Sequence, residues 1–269
     1  ITIPNSVTSI EELAFYGCTG LTSISLSNSI TNIKYATFQN CTSLTSISIP
    51  DGVTTISQSA FNNCSSLTSI VIPTSVTSIE ASAFSNCTSL TTAPELPALT
   101  LTIYCYNHMF RGCTGLTAAP SLPATTLADN CYYAMFNSTN VLPDCSNIDF
   151  TSDSVVASGG LKGLFYGTKV TDSDLDTILP HDANNHYCLP VTGLSYAGSY
   201  QSMFRNCSSL TTAPQLPATT LAQSCYKEMF QNCTSLTTAP ALPATTLKSD
   251  CYRDMFNGCT SLTTAPSTL

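Results

Sequence analysis

Three aspartates at alternate positions, Asp172, Asp174 and Asp176, form the pattern in this 269-residue chain that comes nearest to a metal-binding loop. Alternate carboxylates can converge on a calcium ion, which prefers oxygen ligands. An EF-hand loop also needs Gly at its sixth position and Glu at its twelfth, and other residues stand there. A short helix fits the segment better, with Asp172 as its N-cap, acids in its first turn and Pro180 as its stop. The segment therefore predicts a helix and no calcium site.

His181, His186 and Cys188 lie close together in sequence and, with Asp182, carry the donor atoms of a zinc site. Structural zinc sites usually combine two short ligand pairs, such as Cys-x₂₋₄-Cys with His-x₃₋₅-His, and the spacing here does not follow that combined pattern. We interpret these residues as parts of a loop. Neither a metal nor a cofactor is predicted for the chain.

Side chains for catalysis are scarce. The chain has 3 His, and none of them falls in a repeated position. The Gly-x-Ser-x-Gly, phosphate-binding Gly-loop and His-Glu-x-x-His motifs do not occur. We therefore do not expect an enzyme.

The charge balance excludes two further classes of partner. The net charge is -8, and only 8 residues are Lys or Arg, so no basic stripe is present to neutralise phosphates. Nucleic acid and anionic membrane surfaces are excluded as partners on this ground. No apolar run reaches the roughly 18 residues of a membrane span, and the N-terminus lacks the pattern of a signal peptide. Membrane insertion is therefore not expected.

A fixed repeat organises the sequence. Phe, Cys, Leu and Ile columns recur every 23 residues in the first part of the chain. The Phe column continues with a step of 26 as far as Phe136 and resumes with that step at Phe204, after an irregular stretch. The Phe residues of the two steps are Phe15, Phe38, Phe61, Phe84, Phe110, Phe136, Phe204, Phe230 and Phe256. Five residues before Phe, the early units have Ile and the later units have Cys. A period of this length predicts a solenoid whose stacked units bury one continuous core.

Each unit reads as a strand, a turn, a short helix and a turn. In the third unit, Ile47 and Ile49 alternate with Ser46 and Ser48, which indicates a short strand with the isoleucines inward. Leu, Ala, Phe and Cys then recur near helical spacing, which predicts a short helix or 3₁₀ turn.

The 14 cysteines follow the repeat, which argues against a disulfide framework. Cysteine is among the residues most often buried and packs as a small hydrophobe, so we expect mostly free, buried thiols. Cys145 and Cys188 lie off the repeat and are the pair that we would expect to be linked if any are. Several Asn-Cys-Thr/Ser sequons occupy one repeated turn position, where Asn satisfies backbone groups, and we do not interpret them as glycosylation sites.

The pattern Leu-x-x-Ile-x-Ile-Pro-x-x-Val-x-x-Ile-x-x-x-Ala-Phe-x-x-Cys-x-x-Leu, at Leu44 to Leu67, resembles the leucine-rich repeats of the BspA-like bacterial surface protein family. The variant Cys-Tyr-x-x-Met-Phe-x-x-Cys is similar to divergent repeats of the Bacteroidetes type. The resemblance covers nearly all of the chain except about residues 140–200. It implies a cell-surface or secreted solenoid used in adhesion, with host or neighbouring-cell proteins as partners.

The predicted fold is an α/β repeat solenoid, a curved leucine-rich-repeat stack of about ten coils. Short parallel strands form one face, and short helices or 3₁₀ turns form the other. We expect one solenoid over residues 1–269. It comprises 23-residue repeats at 1–90, 26-residue repeats at 91–139, an irregular or inserted part at 140–200, and 26-residue repeats at 201–269.

Two regions are expected to bind a ligand. Insertions in solenoids often map to the binding face, so the irregular middle is one. Its candidates are Asp172, Asp174, Asp176, His181 and His186. The other is the hydroxyl-rich strand face, with candidates Ser23, Ser25, Ser46, Ser48, Ser69 and Val71. A stripe of tyrosines, Tyr106, Tyr132, Tyr226 and Tyr252, is expected to pack between coils.

We therefore expect an extracellular or cell-surface module that recognises a protein or glycan ligand. A rigid spacer that projects another domain and an intracellular scaffold are the alternatives. The chain begins inside a strand and has no polar cap at either end, which predicts a fragment or end-to-end self-association.

Overall fold

The computed structural model describes residues 1–152, 155–156 and 158–266. Its strands are two residues long and pair in parallel with the equivalent strands of neighbouring coils. In chain order the strands are β1 (Ser23–Ile24), β2 (Asn32–Ile33), β3 (Ser46–Ile47), β4 (Thr55–Ile56), β5 (Ser78–Ile79), β6 (Gly193–Leu194), β7 (Thr220–Leu221) and β8 (Thr246–Leu247). This is the predicted leucine-rich-repeat fold with parallel strands.

Two strand ladders run along the described coils. The first strand ladder contains β1 and β3, with Ser23 opposite Ser46, and continues through bridges such as Ser48 to Val71. The second strand ladder contains β2, β4 and β5 in that order, and later β6, β7 and β8. Alternate side chains of each strand point inward, as with buried Ile47 and Ile49. The strand assignment from the sequence is therefore confirmed, and the second ladder is an addition to it.

The remaining side of each coil is a chain of tight turns, which we call the turn ladder. In the first coil, the Tyr16 amide donates to the Leu13 carbonyl within a turn at 2.9 Å. The Phe15 and Gly17 amides donate to carbonyls of the next coil at 2.9 and 2.8 Å. Alternate amides thus bond inside their own coil and to its neighbour.

The prediction of short helices or 3₁₀ turns on this side was wrong, because left-handed residues recur too often for a helix. In a short coil φ is positive at Ser59 (58°) and Asn63 (58°). In a long coil it is positive at Asp250 (60°), Asp254 (55°) and Gly258 (79°). Such residues stand four apart, at the third position of a turn, as in type II turns. The spacing of the apolar residues resembles that of a helix only because four residues make one turn unit.

This arrangement also corrects the alignment of the two repeat lengths. In short coils the inward strand residue, such as Ile56, lies five residues before Phe61, whereas in long coils the inward Leu221 lies nine residues before Phe230. The long coil therefore contains one additional four-residue turn. Cys251, five residues before Phe256, belongs to that turn. The cysteines at this position are buried as expected, but they do not replace the strand isoleucines.

Aromatic rings and thiols fill the core. Neighbouring Phe rings stack with centroids 5.3 to 6.2 Å apart, in one run from Phe15 to Phe136 and a second from Phe165 to Phe256. Cys64 donates its thiol to the Phe38 carbonyl of the preceding coil at 3.1 Å, and this contact recurs along the column. All 14 cysteines lie in the described residues and are free. The prediction of free, mostly buried thiols is confirmed, and Cys145 and Cys188 are not linked.

A helix, α1 (Asp172–Ile178), interrupts the coils in the irregular middle. Its N-cap is Thr171 rather than the predicted Asp172, and Thr171 forms a capping box with Asp174. Leu175 and Leu179 are buried as the helix interpretation requires. The described residues contain no helix with the length and apolar character needed to cross a membrane.

Asp172 attaches α1 to the first strand ladder. Its carboxylate accepts the Thr211 amide at 2.9 Å, the Thr211 hydroxyl at 2.6 Å and the Thr212 amide at 3.1 Å. One coil later, the Thr237 amide donates instead to the Thr211 carbonyl. A side-chain carboxylate therefore takes the place of a strand carbonyl where the insertion interrupts the ladder.

The importance of positive φ in the turn ladder can be tested by replacing two of its glycines with alanine and comparing them with a glycine whose φ is negative. Gly17 has φ +70° with open space around an added Cβ, and Gly112 has φ +72° with the Asn86 carboxamide oxygen 2.4 Å from that position. We expect Gly17→Ala to cost about 1 kcal/mol from the left-handed backbone alone. Gly112→Ala should cost more, because Asn86 must also move.

Gly20→Ala is the matched control, because its φ is not positive and its added methyl meets nothing within 4 Å. Urea unfolding of the three variants measures the differences. Equal stability of Gly17→Ala and Gly20→Ala would contradict the role assigned to positive φ.

The attachment of α1 can be tested through the pH dependence of stability. Burial alone would raise the pKa of Asp172, but the hydroxyl and amide of Thr211 with the amide of Thr212 outweigh it and hold the pKa below its usual value. The ionised carboxylate therefore stabilises the fold above its unfolded-state pKa, and this stability is lost as the pH falls through the folded-state pKa. We expect Asp172→Asn to lower the free energy of unfolding by about 1 kcal/mol at pH 7. The variant should also lose less stability than the wild type when the pH is lowered, because it has no carboxylate to protonate at this position.

Asp176→Asn is the control on the same helix, since that carboxylate bonds to the exposed His181 ring at 3.0 Å and not to the strand ladder among the described residues. Urea midpoints between pH 2 and pH 7 give the comparison. Parallel pH profiles for the wild type and Asp172→Asn would show that the contact does not support the fold.

Candidate functional site

The candidate residues of the strand face all point outward on the first strand ladder. Ser23, Ser25, Ser46, Ser48 and Ser69 are exposed, and Val71 is 79% exposed. Threonines beside them donate to carbonyls of the preceding coil, as Thr45 does to Thr22 at 3.2 Å. The face is thus a flat, hydroxyl-rich surface whose backbone groups are already bonded.

The three aspartates of α1 face different partners within the protein. Asp172 bonds to Thr211 and Asp174 to Thr171, while Asp176 accepts from the His181 ring nitrogen Nε2 at 3.0 Å. Their carboxylates therefore do not converge on one point. Within residues 1–152, 155–156 and 158–266, no three His, Cys, Asp or Glu side chains form a group that could hold a metal ion.

After α1 the chain folds back on itself between His181 and Tyr187, which form an antiparallel bridge. Asp182 holds this turn, because its carboxylate accepts the Asn184 amide at 2.8 Å and the His186 amide at 3.0 Å. The His186 amide bond, with that of Asn184 and the charge of His186, lowers the pKa of Asp182 despite some desolvation. Tyr187 then donates its hydroxyl to the Thr212 carbonyl at 2.9 Å. We call residues 181–187 the folded-back turn.

The folded-back turn and the repeat together enclose a surface cavity of about 330 Å³. One wall is His181, Asp182 and Cys188. The floor comes from three successive coils, which contribute the equivalent prolines Pro190, Pro217 and Pro243 together with Thr192, Gln215, Leu216 and Ala241. Of the candidates in the irregular middle, His181 therefore lines a cavity with the repeat face, whereas His186 does not.

The groups of this cavity differ from those of a catalytic site. Cys188 is buried, with 3% of its surface exposed. This burial and the charge of Asp182 raise the pKa of its thiol. A protonated thiol is a poor nucleophile. The ladder thiols are similar, since burial raises the pKa of Cys41 to about 11 and that of Cys64 to about 12.

The tyrosine stripe packs inside the solenoid, as expected. Tyr106 stacks on Tyr132 with centroids 6.3 Å apart, and Tyr226 stacks on Tyr252 at 6.1 Å. Tyr200 joins this column, 6.1 Å from Tyr226, and was missed although it also lies four residues before a column Phe. Burial raises the pKa of the phenols of Tyr106, Tyr132, Tyr226 and Tyr252. The rings are therefore part of the core rather than a surface for a ligand.

Sequence reasoning missed the cavity floor. Pro190, Pro217 and Pro243 each follow a buried Leu, and none of them was among the predicted binding residues. The repetition of proline was a visible signal. The folded-back turn covers one part of the proline column, and the sequence pattern did not show the path of that turn.

Comparison with known families agrees with the repeat. The model of the BspA type leucine rich repeat region matches in six copies, over residues 1–117 and 194–267. The unmatched stretch contains α1 and the folded-back turn. The repeat region thus covers more than half of the chain.

Several solved leucine-rich repeat structures are similar to this chain. The T. pallidum leucine rich repeat protein TpLRR is 30% identical over 54% of this chain, with a TM-score of 0.40. The chain spans 64% of the length of that protein. A leucine-rich repeat protein from Bacteroides ovatus ATCC 8483 is 24% identical, with 97% of this chain and 76% of that chain covered and a TM-score of 0.46.

A leucine rich cell surface protein from Faecalibacterium prausnitzii A2-165 is 20% identical, with 90% and 78% of the two chains covered and a TM-score of 0.36. No curated protein matches the chain. The repeat match and the stacked parallel strands lead to the same result: the chain belongs to the BspA type leucine-rich repeat family.

Proposed function

We propose that this protein is a non-enzymatic binding module, cell-surface or secreted, that recognises proteins or glycans of a host or a neighbouring cell. Its binding surfaces are the first strand ladder face and the irregular middle of an array of about ten coils. Membership of the BspA type repeat family supports a surface role in binding proteins. The chemistry of the side chains supports the absence of a catalytic role.

The observation that carries this proposal is the cavity between the folded-back turn and the repeat. A spacer needs only the stacked coils, whereas here a non-repeating segment is anchored to them by Asp172 and Tyr187. The anchored segment gives the array one place with a distinct shape. Concave sites with a few polar groups are the usual form of a ligand site.

The strand face adds to this site a broad surface without a pocket. Its serines are exposed and uncharged, and Val71 adds an exposed apolar group among them. Extended solenoid faces bind through many contacts spread over successive repeats. A partner would thus be held by the flat face and selected at the cavity.

The test is binding of the purified chain to a panel of extracellular-matrix proteins and immobilised glycans, measured by surface plasmon resonance. We expect at least one protein or glycan to bind. Val71→Arg should weaken that binding at least tenfold, because a long charged side chain would stand in the flat face.

Thr74→Arg is the matched control, because it adds the same charge three residues later, at an exposed turn outside the first strand ladder. It should bind as the wild type does. A folded protein that binds nothing in the panel would overturn the proposal in favour of the spacer array. An equal loss of affinity in Val71→Arg and Thr74→Arg would show that the strand face is not the binding surface.

A further inference from the structure

The cavity beside the folded-back turn combines a repeating apolar floor with an acidic wall. Pro190, Pro217 and Pro243 come from three successive coils, and His181 and Asp182 rise beside them. Cys188 and Gln215, which are bridged partners in the first strand ladder, connect wall and floor. The site is therefore held by backbone pairing on one side and by the Asp182 turn on the other.

The lining excludes two classes of ligand. Among the described residues that form it, none is Lys or Arg, so a phosphate, sulfate or carboxylate would find no permanent counter-charge. None of these described residues is Phe, Tyr or Trp, and their single aromatic ring, the His181 imidazole, is bonded to Asp176, so the broad aromatic face on which a sugar ring stacks is missing. Anionic ligands and ring-stacked glycans therefore do not fit the site.

The acidic wall favours a cation. Asp182 lines the cavity, and its carboxylate is fixed by the Asn184 and His186 amides at 2.8 and 3.0 Å. Asp176 lies behind His181, bonded to that ring at 3.0 Å. The chain as a whole has a net charge of -8, which adds to the attraction for a basic partner.

Lys and Arg side chains match a floor of prolines beside a carboxylate, because they combine an aliphatic stem with a charged head. We propose that the cavity receives a basic side chain, Arg or Lys, from an extended segment of a protein partner. The stem lies on the Pro217 and Pro243 rings, and the head group faces Asp182. This inference rests on the proposed binding function and narrows its partner to a protein.

The dimensions agree with this occupant. A cavity of about 330 Å³ is at the lower end of the roughly 300–1,000 Å³ range of ligand sites, which suits one side chain with its neighbouring backbone. The carboxylate is already oriented by two backbone amides, so little ordering is required on binding.

The test uses ¹H–¹⁵N spectra of the full chain titrated with three peptides, acetyl-Gly-Ser-X-Ser-Gly-amide, in which X is Arg, norleucine or Glu. We expect the Arg peptide to shift the amide signals of Thr192, Gln215 and Ala241. The norleucine peptide should bind about fivefold more weakly, because it keeps the stem and lacks the charge. The Glu peptide should cause no shift.

Two variants locate the site. Asp182→Asn keeps the acceptor for the Asn184 and His186 amides and removes the charge, so the Arg and norleucine peptides should then bind equally. Ala241→Leu places a larger side chain in the floor and should abolish the shifts. Ser121→Leu is its matched control, since Ser121 occupies the equivalent repeat position, 15 residues before the column Phe, outside the cavity.

Equal binding of the Arg and Glu peptides, or an unchanged preference for Arg in Asp182→Asn, would overturn the inference. No shift with any peptide would overturn it as well. If Ala241→Leu fails to fold, Asp182→Asn alone decides. If a matrix protein or glycan of the panel binds but the peptides do not, the proposal that the cavity receives a basic side chain is wrong. The proposed binding function is then unaffected.

Discussion

The backbone amides of the turn ladder impose the constraint on which the rest of this structure depends. Each amide must be bonded, and along this side they alternate between the carbonyl three residues back and a carbonyl of the next coil. That alternation turns the chain every four residues, and each turn needs one residue with positive φ. The requirement explains why Asn and Gly exchange at one repeated position, as in Asn63 and Gly112, because both tolerate this conformation.

Stacking then transfers most reactive side chains into the core. Because each coil lies directly on the next, a Phe, Cys or Tyr at one position meets the same residue type a coil away. Thiols donate to the carbonyls of column Phe residues, and burial raises their pKa. The thiols of 12 of the 14 cysteines are thereby buried, as are the rings of Tyr106, Tyr132, Tyr200 and Tyr226, whereas Tyr16, Tyr35, Tyr104 and Tyr196 stay exposed. What remains outside is a neutral face of serines and threonines, suited to contact rather than to catalysis.

The sequence predicted the periodic features and not those that depend on local backbone geometry. The Phe column and the alternation at Ile47 and Ile49 identified the stacked core and the first strand ladder, since both follow directly from spacing. The turns were mistaken for helices because four-residue units mimic helical spacing, although the Asn and Gly exchange already indicated positive φ. His181 was a candidate from its place in the insertion. Pro217 was not, since only the folded-back turn encloses it.

The irregular middle shows how a repeat array can acquire a specific site without losing its continuity. An insertion leaves the amides of the following strand without their usual carbonyls, and here the Asp172 carboxylate accepts those of Thr211 and Thr212. One carboxylate thereby replaces strand carbonyls, and it holds the inserted segment against Thr211 and Thr212 of the following coil. The folded-back turn is held beside the proline column by separate contacts, the Tyr187 hydroxyl on the Thr212 carbonyl and the bridge of Cys188 with Gln215. Repair of the ladder and formation of the cavity therefore meet at Thr212, whose amide donates to Asp172 and whose carbonyl accepts from Tyr187.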